Sequence, residues 1–456
     1  MYRKSLDILE KWLKKDKSKP LILRGARQVG KSYLVRELAK INKRNLIEIN
    51  LEKIVLKELI NKESFDIKKI LSEIEFISKK KITQNTLLFI DEIQSSPDAI
   101  NSLRYFYEDF PELKVIAAGS LLENVIHLNK MTMPVGRVEY HYLGPMTFFE
   151  FLEALNETEL LEELKKINLD SYMLEAIHNK SKELLKLFYY IGGMPEAILT
   201  YIQTKDFERV RDVHYNLLQS YKDDINKYAT KNESQIILDI IQYLPNNLGK
   251  KVIYSKISNK NSTYVKNAIK LLSMANIISI VTHTNCSGLP LSSNQDSGTM
   301  KLYFLDIGLY NMLMNISWED LKYLRSEELL IKGNIAEQFI SQHLIYNNPT
   351  RGIQKLYFWL RNKKLGAAEV DFIISCNRKI YPIEVKSGTS GKMKSLWQLV
   401  SEKNLPECLR FDLAYRKKFK SKINFKLTTS NNNNSIETNL TGIPLYLVEK
   451  LTEFIK

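Results

Sequence analysis

The sequence predicts an α/β protein of several domains, and three observations carry that expectation. A glycine-bearing octet, Gly25 to Ser32, sits between an apolar run and an amphipathic helix. Strand and helix signals alternate from the first residues to about residue 155. A second alternation begins near residue 325, after an intervening stretch that reads mostly helical. Alternation of this kind argues for sheets covered by helices.

The elements follow in order. Leu6, Leu9 and Leu13 fall at helical spacing and predict an N-terminal amphipathic helix. Leu21–Leu23 is a short apolar strand. The octet Gly25-Ala26-Arg27-Gln28-Val29-Gly30-Lys31-Ser32 follows, in the pattern G-x-x-x-x-G-K-S. A triphosphate needs several backbone N–H donors and a positive charge brought together, and a glycine loop opening a helix supplies both. Gly25 and Gly30 permit the tight turn, Lys31 reaches the outer phosphates, and Ser32 is placed to ligate Mg²⁺. Tyr33 begins the departing helix at the edge of the nucleotide-binding run. Further strands are expected at Leu46–Asn50, Leu87–Ile90 and Val115–Ala118.

Leu87–Ile90 ends in Asp91-Glu92. Carboxylates at the C-terminal end of a buried parallel strand lie where such sheets bind ligands. Asp91 suits Mg²⁺, and Glu92 suits orienting or deprotonating a water. Val115–Ala118 runs into Gly119-Ser120, whose hydroxyl can sense a γ-phosphate or simply cap a strand. Gly136-Arg137 precedes the strand-like Val138–Tyr142, so Arg137 is a candidate arginine finger for a neighbouring subunit.

Residues 156–245 read as helices rich in Leu, Glu and Lys, punctuated by Gly192-Gly193-Met194-Pro195. Residues 246–324 read as a helix-turn-helix with a wing. Tyr254–Ile257 is the first helix, and Ser262 or Thr263 is the expected N-cap of the second. Val265, Ala268, Ile269 and Leu272 line one face of that second helix. Ile277–Val281 is the wing, Cys286–Thr299 a loop, and Leu302–Leu305 a strand. Lys256, Lys260, Lys266 and Lys270 make the unit a candidate DNA contact. Residues 325–456 form another α/β unit, with the Asn-rich run Thr428–Ser435 at a hairpin tip.

In that last unit, Glu369-Val370-Asp371-Phe372-Ile373-Ile374 and Ile380-Tyr381-Pro382-Ile383-Glu384-Val385-Lys386 flank a loop of two or four residues. Either length sets Asp371 opposite Glu384 and Glu369 opposite Lys386. Opposed carboxylates repel, and a divalent ion is one reason to place them together. Asp371 and Glu384 are therefore candidate ligands of a second Mg²⁺ or Mn²⁺, with Lys386 beside the water. The plainer arrangement is a Glu369–Lys386 pair across the hairpin.

The octet with Arg27 and Gln28, Asp91-Glu92, Gly119-Ser120 and Pro134-Val135-Gly136-Arg137-Val138-Glu139 resemble a family of prokaryotic AAA-type ATPases. The C-terminal half of that family is catalogued as a domain of unknown function. The likeness continues through Tyr189–Glu196, Tyr221-Lys222-Asp223-Asp224-Ile225 and Lys301-Leu302-Tyr303-Phe304-Leu305-Asp306, nearly the whole chain. The resemblance implies an AAA core over 1–155, a helical lid over 156–245, a winged-helix unit over 246–324 and a restriction-endonuclease-like domain over 325–456. It also strengthens Ser120 and Arg137 as site residues. Asp371, Glu384 and Lys386 are similar to the D…E-x-K site of such nucleases, whose additional helix acid matches Glu337; the proline usual before the Asp is missing. ATP and Mg²⁺ are the implied cofactors.

Net charge is +15, which admits DNA or RNA as a partner; the lysines are spread along the chain, so a well-solvated surface explains the charge equally. Three scattered cysteines fit a reducing cytoplasm. No apolar run nears the roughly 20 residues of a membrane span, so no membrane insertion is expected. The reading is an ATP-hydrolysing switch, in a homo-oligomer, controlling a nuclease-like, nucleic-acid-facing domain. The alternative is a slow signalling or defence switch that acts through protein contacts.

Overall fold

The computed structural model describes residues 1–56, 66–119, 133–134, 136–323, 333–347, 354–361, 368–389, 391–429 and 432–455. Its first sheet holds β1 (Leu21–Arg24), β2 (Asn45–Asn50), β3 (Thr86–Asp91), β4 (Lys114–Ala118) and β5 (Glu139–Tyr142), in the order β2-β3-β4-β1-β5. Every pairing in it is parallel. The C-terminal ends of the strands therefore share one edge. Side chains alternate between two cores: Leu87 and Phe89 point to one, Leu88 and Ile90 to the other. The helix Ser5–Leu13 packs Leu6, Leu9 and Leu13 into the first of these.

A capping box starts the helix Phe148–Ala154: Thr147 accepts from the Glu150 N–H, and Glu150 accepts from the Thr147 N–H. Helices then follow in series, Thr158–Lys166, Glu175–Ile191, Pro195–Thr204, Phe207–Tyr228 and Lys231–Asn247. The turn at Gly193 ties this series to both neighbours. Its carbonyl accepts from Met146 N at 2.6 Å, and its N–H donates to Asp306 Oδ2 at 2.6 Å. Asp306 is fully buried and also accepts from Gly308, Leu309 and Gln342.

The helices Tyr254–Ile257 and Ser262–Met274 precede an antiparallel hairpin of β6 (Ile278–Thr284) and β7 (Gln295–Phe304). The N-cap of Ser262–Met274 is Asn261, which accepts from Thr263 N at 2.9 Å, and neither Ser262 nor Thr263. Asn sits outside the helix with extended ψ and its side-chain oxygen reaches the orphan N–H, as well as Ser or Thr would. The strand β7 also starts at Gln295, inside the stretch expected to be loop.

The wing does not stand apart from the C-terminal unit. β6 pairs in parallel with β8 (Leu356–Leu360). One sheet runs on through β9 (Glu369–Cys376), β10 (Lys379–Val385), β11 (Glu407–Asp412), β12 (Lys420–Thr429) and β13 (Asn432–Pro444), in the order β12-β13-β11-β10-β9-β8-β6-β7. The sheet thus crosses the expected division at 324/325, because β6 offers β8 a free edge of backbone donors and acceptors. One face of the sheet packs on the helix Gly333–Tyr346 and joins the first core; the other packs on Leu396, Leu399 and Val400 of the helix Lys394–Lys403.

His343 joins the two halves. Its Nε2 accepts from Phe148 N at 2.9 Å, and its Nδ1 donates to Phe339 O at 2.8 Å. That pattern needs the neutral ring, and burial pushes its pKa down to about 4. A depressed folded-state pKa gives stability that is present above the ordinary value of 6.5 and lost as pH falls through 4, about 3 kcal/mol in all. The stability gap between wild type and His343→Gln is therefore expected to narrow by that amount between pH 6.5 and 4 in denaturant melts. A gap that does not change with pH would refute the assignment.

Candidate nucleotide site and a second acidic cluster

The loop between β1 and the helix Lys31–Ile41 adopts the geometry of an anion cradle. Gly30 is the N-cap at φ +93°, so a left-handed residue turns the chain into the helix. Gly25 is required by a close approach: a Cβ there would lie 2.1 Å from Leu143 O at the end of β5. Ala26 and Val29 are buried, while Gln28 and Tyr33 face outward. Lys31 is buried in the loop and donates to Gly25 O at 2.9 Å and Ala26 O at 2.7 Å. Ammonium donors held by carbonyls are free to exchange them for phosphate oxygens.

Ser32 Oγ donates to Asp91 Oδ2 at 2.8 Å, which brings the loop and the end of β3 together. Desolvation and the neighbouring Glu92 push the Asp91 carboxyl up; the Ser32 hydrogen bond and Lys31 oppose this. Two hard oxygen donors beside a phosphate cradle fit Mg²⁺. Glu92 has φ +52° and its Oε2 accepts from Gln94 Nε2 at 2.5 Å.

Segments distant in sequence hold the loop from behind. Arg3 donates to Val29 O at 2.9 Å and Gly144 O at 2.7 Å, and pairs with Glu150. Tyr221 OH donates to Arg27 O at 2.9 Å, and Asp224 pairs with the Arg27 guanidinium. Tyr221 and Asp224 lie three residues apart on one helix, so one face of the helical region grips the loop. The run Tyr221-Lys222-Asp223-Asp224 already stood out in the sequence; what it touches did not.

Ser120 lies outside the described residues. Arg137 is exposed and donates to Glu108 Oε1 at 2.8 Å. The register pairs Leu21 with Glu139, so Arg137 sits at the edge where the strands begin, and the loop lies at the opposite edge.

In the C-terminal sheet, β9 and β10 meet in the expected register, Lys379 with Cys376 through Ile383 with Phe372, about the two-residue loop Asn377-Arg378. Both loop residues have positive φ, as a tight hairpin of this hand requires. Asp371 Oδ2 accepts from Val385 N at 2.8 Å. The pairing of Glu369 with Lys386 is not formed. Lys386 instead pairs with Glu384 on its own strand face, and Glu369 pairs with Lys301 of β7. Lys301 can reach because it is fully buried and stretches over the Phe358 ring, 5.1 Å from its centroid.

Glu337 joins the group. It lies 4.0 Å from Lys301 Nζ and accepts from Tyr303 OH at 2.7 Å. Burial, with Asp371 nearby, pushes its pKa up to about 8; burial and Asp371 push Glu384 up to about 7. Lys301 and Tyr303 were missed as site residues, although their spacing of two on a strand puts them on one face. Among the described residues no group of three or more His, Cys, Asp or Glu is set to hold a metal ion. Lys256, Lys260, Lys266 and Lys270 are all exposed, with Lys266 over the Tyr254 ring.

Comparison with known proteins bears on the first site. Residues 17–152 match the family model of an AAA domain. This part of the chain is an AAA-type ATP-binding domain. Residues 182–320 match a domain of unknown function (DUF8612), and residues 332–446 another (DUF4143). No curated protein matches. Among solved structures, the chain is similar to the RuvB Holliday junction branch migration motor of Thermotoga maritima. That likeness has 16% identity, covers 62% of this chain and 88% of the other, and has a TM-score of 0.30. Two point variants of the same motor match at 16% and 15% identity, covering 62% of this chain and 88% and 90% of theirs, each with a TM-score of 0.30. Among the described residues no helix is long and apolar enough to cross a membrane.

Proposed function

We propose that the AAA domain hydrolyses ATP and that the resulting change controls a nuclease-like, nucleic-acid-facing C-terminal unit. The observation that carries the first half is the Ser32–Asp91 hydrogen bond, with Glu92 held beside it by Gln94. Ser32 and Asp91 would hold Mg²⁺, which when bound would supply positive charge to offset that of the phosphates. Lys31 moves from the Gly25 and Ala26 carbonyls to the outer phosphates. Glu92 orients the attacking water and takes its proton. Ser120 is assigned to the γ-phosphate. Arg137, at the wrong edge to reach its own loop, is assigned to a neighbour's nucleotide in a homo-oligomer.

Control of the distal unit is supported by the grip of Tyr221 and Asp224 on the loop, since closure around ATP must move the helix that carries them. The restriction-endonuclease-like reading of 325–456 rests on Asp371, Glu384, Lys386 and Glu337, with a second Mg²⁺ or Mn²⁺. The four exposed lysines of 256–270 are the proposed DNA or RNA contact of a winged-helix unit. A non-catalytic C-terminal module, within a switch acting through protein contacts, is the competing reading. It is favoured by the ion pairs that already occupy Lys386 and Glu369.

ATP turnover measured with and without DNA and RNA separates the two. Stimulation by nucleic acid is expected; none with either polymer would defeat the nucleic-acid reading. Lys31→Ala is expected to weaken ATP binding about 10- to 100-fold, the worth of one or two charged hydrogen bonds. Wild-type affinity in that variant would reject the site.

A further inference from the structure

We propose that Lys301 is the built-in counter-ion of the C-terminal acidic cluster, occupying the place a divalent cation would take. The idea rests on the reading of that cluster as a cation site. Glu337 and Glu369 meet the Lys301 ammonium and Glu384 meets that of Lys386, while Asp371 acts electrostatically on the same group. Buried charge of one sign is costly unless it is matched. Two ammonium groups serve four carboxylates here.

A second observation marks a cation position. Glu384 is 5% exposed, and among the described residues its Oε2 has no hydrogen-bond partner. A buried carboxylate oxygen left so is an open coordination position. Lys301 stands where it blocks the full set of ligands. Its ammonium contacts Glu369, lies 4.0 Å from Glu337, and acts on Asp371 and Glu384 as well. It arrives from β7, three strands along the sheet from β9, over the Phe358 ring. The residue that neutralises the cluster thus comes from the wing hairpin, and not from the strands that carry Asp371 and Glu384.

Ammonium and metal then compete for the same carboxylates. With Lys301 in place the cluster is filled; drawing it back would free Glu369 and Glu337 to join Asp371 and Glu384 around an ion. This makes Lys301 a gate on whatever the metal would do.

The test is Mn²⁺ binding to the full chain, with Mn²⁺ alone as the probe. Lys301→Met keeps the length and apolar stem and removes the charge; Lys301→Gln is the second variant. Each is expected to bind one Mn²⁺ per chain at least about tenfold more tightly than wild type, and to lose that ion on adding Asp371→Asn. If a variant folds poorly, Mn²⁺ should raise its melting temperature, because an ion that binds only the folded chain stabilises it. No rescue would count against the proposal. Variants that bind no more tightly than wild type, with Asp371→Asn abolishing both, would leave the cation site standing and remove Lys301 from it. No uptake by any of the chains would reject the cation site itself, and the proposal with it. Tight uptake by wild type alone would overturn it without any variant.

Discussion

Glu92→Gln is expected to slow ATP turnover about 10³-fold and to leave ATP binding within a few-fold of wild type. A positioned general base contributes about 10²- to 10⁴-fold, and an amide of the same shape cannot accept the proton. The substitution is mild for the fold. Glu92 follows β3 in a left-handed conformation and is held by Gln94, and a glutamine there can turn its carbonyl toward the same Nε2. Asp91 and Ser32, the proposed Mg²⁺ ligands, are not altered. The separation of binding from turnover is what distinguishes Glu92 from Lys31. Fluorescent-nucleotide titration and phosphate release on one preparation check both halves. Turnover within tenfold of wild type would exclude Glu92 as the base.

Arg137→Ala is expected to cost turnover about 10³-fold as well, the usual worth of an arginine supplied across an interface. The register of β1 with β5 makes the expectation specific. Arg137 is at the edge of the sheet where the strands begin, and the phosphate loop is at the other. Under the proposed function it would serve only a neighbour's nucleotide. Mixing Arg137→Ala chains with Lys31→Ala chains should then restore part of the activity that each lacks, because mixed assemblies contain intact loops facing intact arginines. No recovery on mixing, in assemblies shown to exchange subunits, would reject the arrangement. In the isolated chain Arg137 is held by Glu108, whose carboxyl is kept low by Arg137 and Arg104. The proposed assembly would have to break that exposed pair, which is a small obstacle.

Much of the first site was legible in the sequence because its parts are local. The octet names its own chemistry, and β3 delivers Asp91-Glu92 at a fixed place relative to it. The hairpin register was equally legible, since Cys376 to Lys379 admits few loops and side chains alternate strictly along a strand. What the sequence hid was contact between distant segments. Nothing local joins Asp224 to Arg27, or Lys301 to Glu369, and a lysine on a strand reads as a solvated one until a neighbouring strand buries it. The same limit applied to the wing. The pattern of Ile277–Val281 states that a strand is present, but not that its outer edge will pair with β8. The cap of Ser262–Met274 fell one residue early because Asn, Ser and Thr are nearly equivalent there.

The merger of the wing with the C-terminal sheet has a mechanical consequence. A two-stranded wing on a tether would swing by itself. Here β6 cannot turn without tearing its ladder to β8, and the ladder continues to β12. The helix-turn-helix lysines, the acidic cluster and the far hairpin are thus mounted on a single stiff plate. It is tied to the N-terminal unit at several points: the Gly193 turn bonds Met146 on one side and Asp306, just past β7, on the other, His343 accepts from Phe148 N, and Glu449, just after β13, accepts from Phe149 N. Under the proposed function, a shift at these ties would carry the helix-turn-helix lysines and the acidic cluster together, not the wing alone.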